Sequence, residues 1–235
     1  MSKSTVDPTA LDIELPTVPF SSVPVSAPVP PARPENWTRS LFHVLSALVA
    51  LVVLRIVPSR GWLIAASVSL CAWAWSCEIA RRLSPAVNER MMKFFSRVAH
   101  PMERHRVNSS TWYLTALVGL SLFSSFQAAE LGVVILGLAD PAAGFIGRRI
   151  GRTKILANRS LEGTLGFFAV GTLAALATLT AFHGLPLPAM LLIASAGAAA
   201  GAVAELVSSR LDDNFTIPVT VAIAASIAGA FVPAS

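Results

Sequence analysis

An aspartate set inside an apolar run is the first residue of this chain that needs a chemical explanation. In the stretch from Leu138 to Gly166, Asp140 lies among apolar neighbours and is followed at once by Pro141. Gly144, Gly147 and Gly151 come next, and five cations (Arg148, Arg149, Arg152, Lys154, Arg159) fall within twelve positions. Ser160-Leu161-Glu162-Gly163 then opens a second apolar run. An acid, a backbone that can approach an anion closely, forked guanidinium donors and a second acid are the parts of a site for a polyphosphate and its metal ion.

A charged Asp within a membrane-spanning helix costs about 2.5–3.5 kcal/mol on insertion scales, a cost usually offset by a partner, a cavity or a metal. Pro141 adds a structural reading, because Asp as N-cap with Pro at the first helical position starts helices well. On that reading a half-helix begins inside the membrane with its N–H groups turned toward Asp140. Mg²⁺ is held by one or two carboxylates plus substrate phosphates. Asp140, Glu162, Asp212 and Asp213 are the candidate ligands, and Asp140 and Glu162 the candidate catalytic acids. The polyphosphate would be held by Gly144, Gly147, Arg148, Arg149, Gly151, Arg152, Lys154, Arg159 and Ser160, with Asn214 completing the contacts. Asn158 and Ser160 can cap the helix that follows, itself an anion site. Arg39 and His43, four apart and so on one helical face, are candidates beside the acceptor.

The elements that must position these residues are transmembrane helices. The chain has 235 residues, 54% hydrophobic and 13% charged, with mean hydropathy +0.65; a soluble domain carries roughly 25% charged residues. The first 36 residues hold eight of the sixteen prolines and no apolar run, so they read as a disordered cytoplasmic tail without the apolar core of a signal peptide. Residues 37–235 form the membrane-embedded domain. Seven apolar segments follow the tail: Leu41–Val57, Trp62–Ala80, Trp112–Ala129, Leu131–Arg148, Leu161–Phe182, Leu187–Val207 and Ile217–Val232. The expected fold is therefore all-α, a bundle of about seven spans with a broken helix at Asp140-Pro141. Sixteen of the eighteen Lys and Arg residues fall on one face of that topology, leaving Arg55 and Arg60 on the other. This bias puts the N-terminus and the charged loops in the cytoplasm. The net charge of +5 follows from it, and no nucleic-acid partner is expected. Between the second and third spans, Met91, Met92, Phe94, Phe95 and Val98 alternate with Arg90, Lys93 and Arg97, the pattern of an amphipathic helix on the membrane surface. Cys71 and Cys77 suggest neither a disulfide nor a metal site and read as free thiols.

Several of these motifs together resemble a family. Ala139-Asp140-Pro141-Ala142-Ala143, Gly144-x-x-Gly147, Gly151-x-x-Lys154 and Arg159-Ser160-Leu161-Glu162-Gly163 are similar to the central motif of the polytopic CTP-dependent lipid kinases, the dolichol kinase, phytol kinase and CTP-dependent diacylglycerol kinase group. These are related to the phosphatidate cytidylyltransferases. Arg39-x-x-x-His43, Glu78-x-x-Arg81 with Asn88 and Glu103, and Glu205 with Asp212-Asp213-Asn214-x-x-x-Pro218 extend the resemblance over the chain after the tail. Ala139 departs from the Gly that many members carry before the Asp, and Arg159 from the usual Lys.

The resemblance implies CTP as the donor and a lipid hydroxyl as the acceptor. Diacylglycerol is the first expectation and a polyprenol or phytol the second. A cytidylyltransferase making CDP-diacylglycerol from phosphatidate is the nearest rival. A transporter or non-catalytic scaffold is a rival of another class, because a broken helix also suits a midplane substrate site.

Overall fold

Short polar side chains decide where most of these helices begin. The structure is a computed structural model, and it describes residues 37–57, 59–95, 106–156, 159–208 and 211–232. The 1–36 tail, Arg97, Val98, Glu103, Asn158 and Arg210 lie outside the described residues. Among the described residues eight helices follow one another: α1 (Trp37–Ile56), α2 (Arg60–Leu83), α3 (Pro85–Phe94), α4 (Ser109–Phe123), α5 (Phe126–Arg149), α6 (Leu161–Phe182), α7 (Leu187–Val207) and α8 (Asp213–Ala230). Ser59, Ser84, Asn108, Ser125, Ser160 and Asp212 cap α2, α3, α4, α5, α6 and α8, each accepting a bond from a first-turn backbone N–H. Pro at the start of α7 replaces such a cap.

Among the described residues six helices are long and apolar enough to cross a membrane: α1, α2, α5, α6, α7 and α8. Helix α4 is the exception. Its 15 residues extend only ~22 Å, short of the ~30 Å hydrocarbon core. The expected third span borrowed residues that belong to the next helix. The turn falls at Ser124-Ser125, and Ser125 then caps α5 through Ala128 N. Helix α4 nevertheless runs from one end of the bundle to the other. Ser109 at its start meets Arg39 of α1, and the Ser124 carbonyl at its finish accepts from Arg60 of α2.

The break expected at Asp140-Pro141 is corrected: α5 runs through it, with Pro141 inside the helix. Proline removes one hydrogen bond, but in membrane helices neighbouring groups and small backbone adjustments compensate for the loss. Asp140 is therefore an interior helix residue presenting its carboxylate sideways, not a cap.

Helix α5 is the axis of the bundle. From Ala128 to Gly137 every residue is buried. Its core partners include Phe167 and Leu179 of α6, Ile193 of α7, and Ile217 and Val221 of α8. Helix α1 buries only Ala47 and Leu54 and turns Leu41, Leu45, Val49 and Val52 outward, as lipid contact requires. One position without a side chain lets the backbones of α1 and α5 meet. A Cβ on Gly137 would stand 2.1 Å from Ala47 Cβ and 3.3 Å from the His43 carbonyl of α1.

The far end of the bundle holds a polar clasp that the sequence did not reveal. Glu130, fully enclosed, accepts from Arg55 Nη1 at 3.1 Å and lies 2.6 Å from His183 Nε2. It ties α1, α5 and α6, and the Arg55 guanidinium sits over the Phe182 ring at 4.6 Å. Helix α3, Pro85–Phe94, covers the first part of the Met/Phe–Arg/Lys alternation. Cys71 and Cys77 are free thiols.

Overpacking a closed helix contact costs about 1–3 kcal/mol. Gly137→Leu should therefore lower the thermal midpoint of the detergent-purified protein by roughly 4–10 °C. At Gly119 an added Cβ meets nothing within 4 Å, and Gly119→Ala should leave the midpoint unchanged or raise it. Equal shifts for the two variants would contradict this packing.

Candidate active site

The charged residues at the other end of the bundle come from four separate elements. Asp140 projects from α5, Arg39 and His43 from α1, Arg159 from the segment leading into α6, and Asp212 and Asp213 from the start of α8. Ser109 at the start of α4 joins two of them, accepting from Arg39 Nη2 at 3.3 Å and donating to Asp212 Oδ2 at 3.0 Å. The Arg159 guanidinium reaches Asp213 Oδ2 at 3.4 Å and donates to Glu205 of α7. One side chain thus links the α5–α6 segment to α7 and α8. Asn214 Nδ2 bridges the two acids, donating to Asp212 Oδ1 at 2.6 Å and to Asp213 Oδ1 at 3.2 Å.

Electrostatically these residues act as one unit. The charges of Arg159, Arg39 and Arg148 attract the Asp140 carboxylate, and that of Asp212 repels it. Asp213 in turn feels Asp140, Arg159, His43 and Arg39. Attraction from three guanidinium groups offsets only part of the cost of burying Asp140, while mutual repulsion among three acids leaves the cluster receptive to a further cation.

The segment between α5 and α6 folds back on itself. Lys154 and Ser160 form an antiparallel bridge, Ile155 N donates to the Arg159 carbonyl and Leu161 N to that of Thr153. Ser160 is buried and caps α6. Gly151 has to be glycine here, because a Cβ would stand 2.2 Å from the Gly147 carbonyl and 2.4 Å from Ser160 Oγ. Gly147 and Gly163 face each other where α5 meets α6.

Not all the expected site residues converge. Asp140, Arg39, His43, Arg148, Arg159, Asp212, Asp213 and Asn214 come together as just described. Arg148 lies back against Gly144. Arg149 is exposed and sits over the Phe145 ring at 5.5 Å, while Arg152 and Lys154 are exposed on the folded segment. Glu162 takes another place. Both its oxygens accept from Thr153 N, at 3.2 and 3.3 Å, so it fastens the cationic segment, and the strongest charges at Asp140 are not its own. Gly147, Gly151 and Ser160 shape that segment from within. Among the described residues no three His, Cys, Asp or Glu side chains stand as a preformed metal site.

Reading residue by residue missed Ser109 and the Arg159 link to Glu205. A lone serine carries no signal in sequence, and the ion pair spans residues far apart in the chain. Nearby, Glu78 is buried and takes a two-pronged bond from Arg81, at 2.7 Å for each contact. Arg82 also donates to it, at 2.8 Å, and Arg81 reaches Asn88 at 3.2 Å. This network anchors α2 to α3 and to the entry of α4, where Asn108 N donates to Glu78 at 3.4 Å.

The fold and site define a class: a polytopic helical membrane protein with an acid–arginine cluster gathered at one end of the bundle. Among proteins of established activity, the chain is similar to the CTP-dependent diacylglycerol kinase 1 of Eremothecium gossypii, at 29% identity over 169 residues, 62% of this chain and 52% of that protein. It is likewise similar to the CTP-dependent diacylglycerol kinase 1 of Saccharomyces cerevisiae, at 29% identity over 140 residues, 50% of this chain and 47% of that one. The similarity is thus to the CTP-dependent lipid kinase family, and the chain spans about half the length of the curated relatives it matches. No family model matches the chain, and no solved structure matches it.

Burial first, and then the neighbouring Asp213 charge, raise the Asp212 carboxyl above its ordinary range. A folded-state pKa above the unfolded one means that ionising Asp212 costs stability. The cost is absent below the ordinary carboxylate pKa, grows as pH rises through the raised one, and is complete above it. Asn caps a helix as well as Asp does. In chelator, Asp212→Asn should therefore melt higher than the parent at neutral pH, and the gap should close on acidification. A gap independent of pH would contradict this origin.

Proposed function

We propose that this protein is an integral membrane kinase that transfers the γ-phosphoryl group of CTP to a lipid hydroxyl, with diacylglycerol as the first acceptor and a polyprenol or phytol as the second. The observation that carries the reading is the placement of Asp140 among Arg159, Arg39 and Arg148, next to the paired acids that open α8. The names of the two relatives support the nucleotide and the acceptor. The bias of Lys and Arg toward this end of the bundle supports a cytoplasmic orientation, where both the nucleotide and the lipid headgroups are found.

Phosphoryl transfer is catalysed mostly by positioning and by neutralising charge. Arg148 and Arg159 would hold the triphosphate from one side, with Arg149, Arg152 and Lys154 drawing it in from the exposed segment. Arg39 and His43, on α1 at the lipid-facing edge, would orient the acceptor. Its oxygen attacks the γ-phosphorus, the bond from that phosphorus to the β–γ bridging oxygen breaks, and CDP departs. The proton of the acceptor hydroxyl passes to the acidic cluster, with Asp140 orienting the O–H. Asp140, Asp212 and Asp213 suit Mg²⁺, which needs only one or two protein carboxylates beside substrate phosphates; when bound it neutralises charge on those phosphates. Glu162 contributes by holding the cationic segment in place through Thr153.

A cytidylyltransferase would attack the α-phosphorus instead and release pyrophosphate. Label at the γ position separates the two: it enters lipid with a kinase and leaves as pyrophosphate with the rival. The continuous α5 offers a transporter no paired broken helices. With γ-labelled CTP, Mg²⁺ and diacylglycerol, the purified protein should label lipid. Asp140→Asn should lower the rate at least ~100-fold with an unchanged thermal midpoint. Undiminished labelling by that variant would refute the assignment.

A further inference from the structure

Ser109 stands between two residues of opposite charge delivered by two other helices. Its hydroxyl accepts from Arg39 Nη2 at 3.3 Å and donates to Asp212 Oδ2 at 3.0 Å. A guanidinium only donates and a carboxylate only accepts, whereas a hydroxyl does both. The direction of the chain, from Arg39 through Ser109 to Asp212, is therefore set by the chemistry of its ends.

Each end gains from this link. Helix α1 packs along α5, but its buried residues are Ala47 and Leu54, and nothing before Ala47 is buried. Arg39 thus stands on the shallowly packed end of α1, on a long side chain whose rotamer freedom must be removed before it can orient anything. Asp212 uses Oδ1 on its own helix, accepting from Asn214 N at 3.0 Å and from Asn214 Nδ2 at 2.6 Å. The bond from Ser109 fixes Oδ2, and with it the plane of the carboxylate. Ser109 is itself well anchored. It is the first residue of α4, behind the Asn108 cap, whose backbone N–H donates to the buried Glu78, and α4 packs along α2 and α8. The charges at both ends act on Asp140, with Arg39 attracting its carboxylate and Asp212 repelling it.

We infer that Ser109 is a positioning residue of the transfer, its hydroxyl locking Arg39 on the acceptor side to Asp212 among the cation-binding acids. This rests on the kinase reading above and deepens it. The hydroxyl touches neither reactant and takes no proton from the acceptor; it acts through the two groups it bonds. Without it Arg39 samples a wider range of rotamers, while the hold of Arg148 and Arg159 on the triphosphate is untouched. The loss therefore falls on the rate of the bound complex and not on nucleotide binding.

The test compares the purified parent, Ser109→Ala, Ser109→Thr and, as a control on the adjacent exposed residue, Ser110→Ala. Each is given γ-labelled CTP, Mg²⁺ and diacylglycerol in mixed micelles. Ser109→Ala should lower kcat roughly ten- to hundredfold, with KM for CTP within about twofold of the parent. Ser109→Thr keeps the hydroxyl and should stay within about threefold of the parent, and Ser110→Ala should match it. The thermal midpoint of Ser109→Ala should move by no more than ~4 °C, because water can replace a bond at this half-buried position. An undiminished kcat in Ser109→Ala, an equal loss in Ser109→Thr or Ser110→Ala, a loss carried by KM for CTP, or a larger fall in midpoint would each overturn the inference. In all of these the parent still labels lipid, and the kinase reading stands. A parent that labels no lipid alcohol would overturn the kinase reading, and the inference with it.

Discussion

The rest of this structure depends on what surrounds one carboxylate. Asp140 sits on the most buried helix of a membrane bundle, where an unanswered negative charge would oppose insertion. The answer is a set of guanidinium groups delivered from other elements, with Arg159 foremost. Arg159 cannot drift, because it is held between Glu205 and Asp213. The fold thus fixes the acid's cations and gathers a cluster of acids and arginines at one end of the bundle, the cluster to which the proposed reaction assigns a polyphosphate and its cation.

The two ends of α5 follow the same electrostatic rule with different outcomes. At one end Glu130 is sealed between Arg55 and His183, a closed arrangement whose consequence is to tie three helices together. At the other end, Asp140 and Asp213 share the charges of Arg159 and Arg39, while Arg149, at the end of α5, and Arg152 and Lys154, in the segment that follows, are exposed. Closure suits a clasp, and an open balance of charge suits a site. Between the two ends, small residues bring the helices close. Gly201 of α7, for instance, sits so near Phe167 and Val221 that a Cβ would stand 2.9 Å from each.

Much of this was legible in the chain because hydrophobic length is a direct physical requirement of the bilayer. The bounds of α6 and α7 coincide with the apolar segments Leu161–Phe182 and Leu187–Val207, since His183-Gly184 and two prolines punctuate them and Gly184 turns with φ 58°. The junction of α4 and α5 was not legible. Phe123-Ser124-Ser125-Phe126 lies within a continuous apolar stretch, and only the cap geometry shows that the chain turns there. Pro141 misled for a related reason: helix-starting chemistry and a tolerated proline in a membrane helix look alike until the neighbouring helices are known. The acid–arginine motif grouped Asp140 with Arg159, and in the structure the Arg159 charge acts on Asp140. It could not reveal that Glu162 faces the Thr153 backbone, because that depends on how the segment folds back. Ser109 gave no signal at all, since its significance comes entirely from which helices pack beside α4.

The most direct test of the central claim is the affinity of the purified protein for CTP, titrated with and without Mg²⁺, for the parent and for Asp140→Asn. If the aspartate and the arginines serve a single ligand through a shared cation, the parent should bind CTP more tightly when Mg²⁺ is present. The variant should lose that enhancement and keep the Mg²⁺-free affinity that the arginines supply. An identical Mg²⁺ enhancement in both proteins would contradict the account.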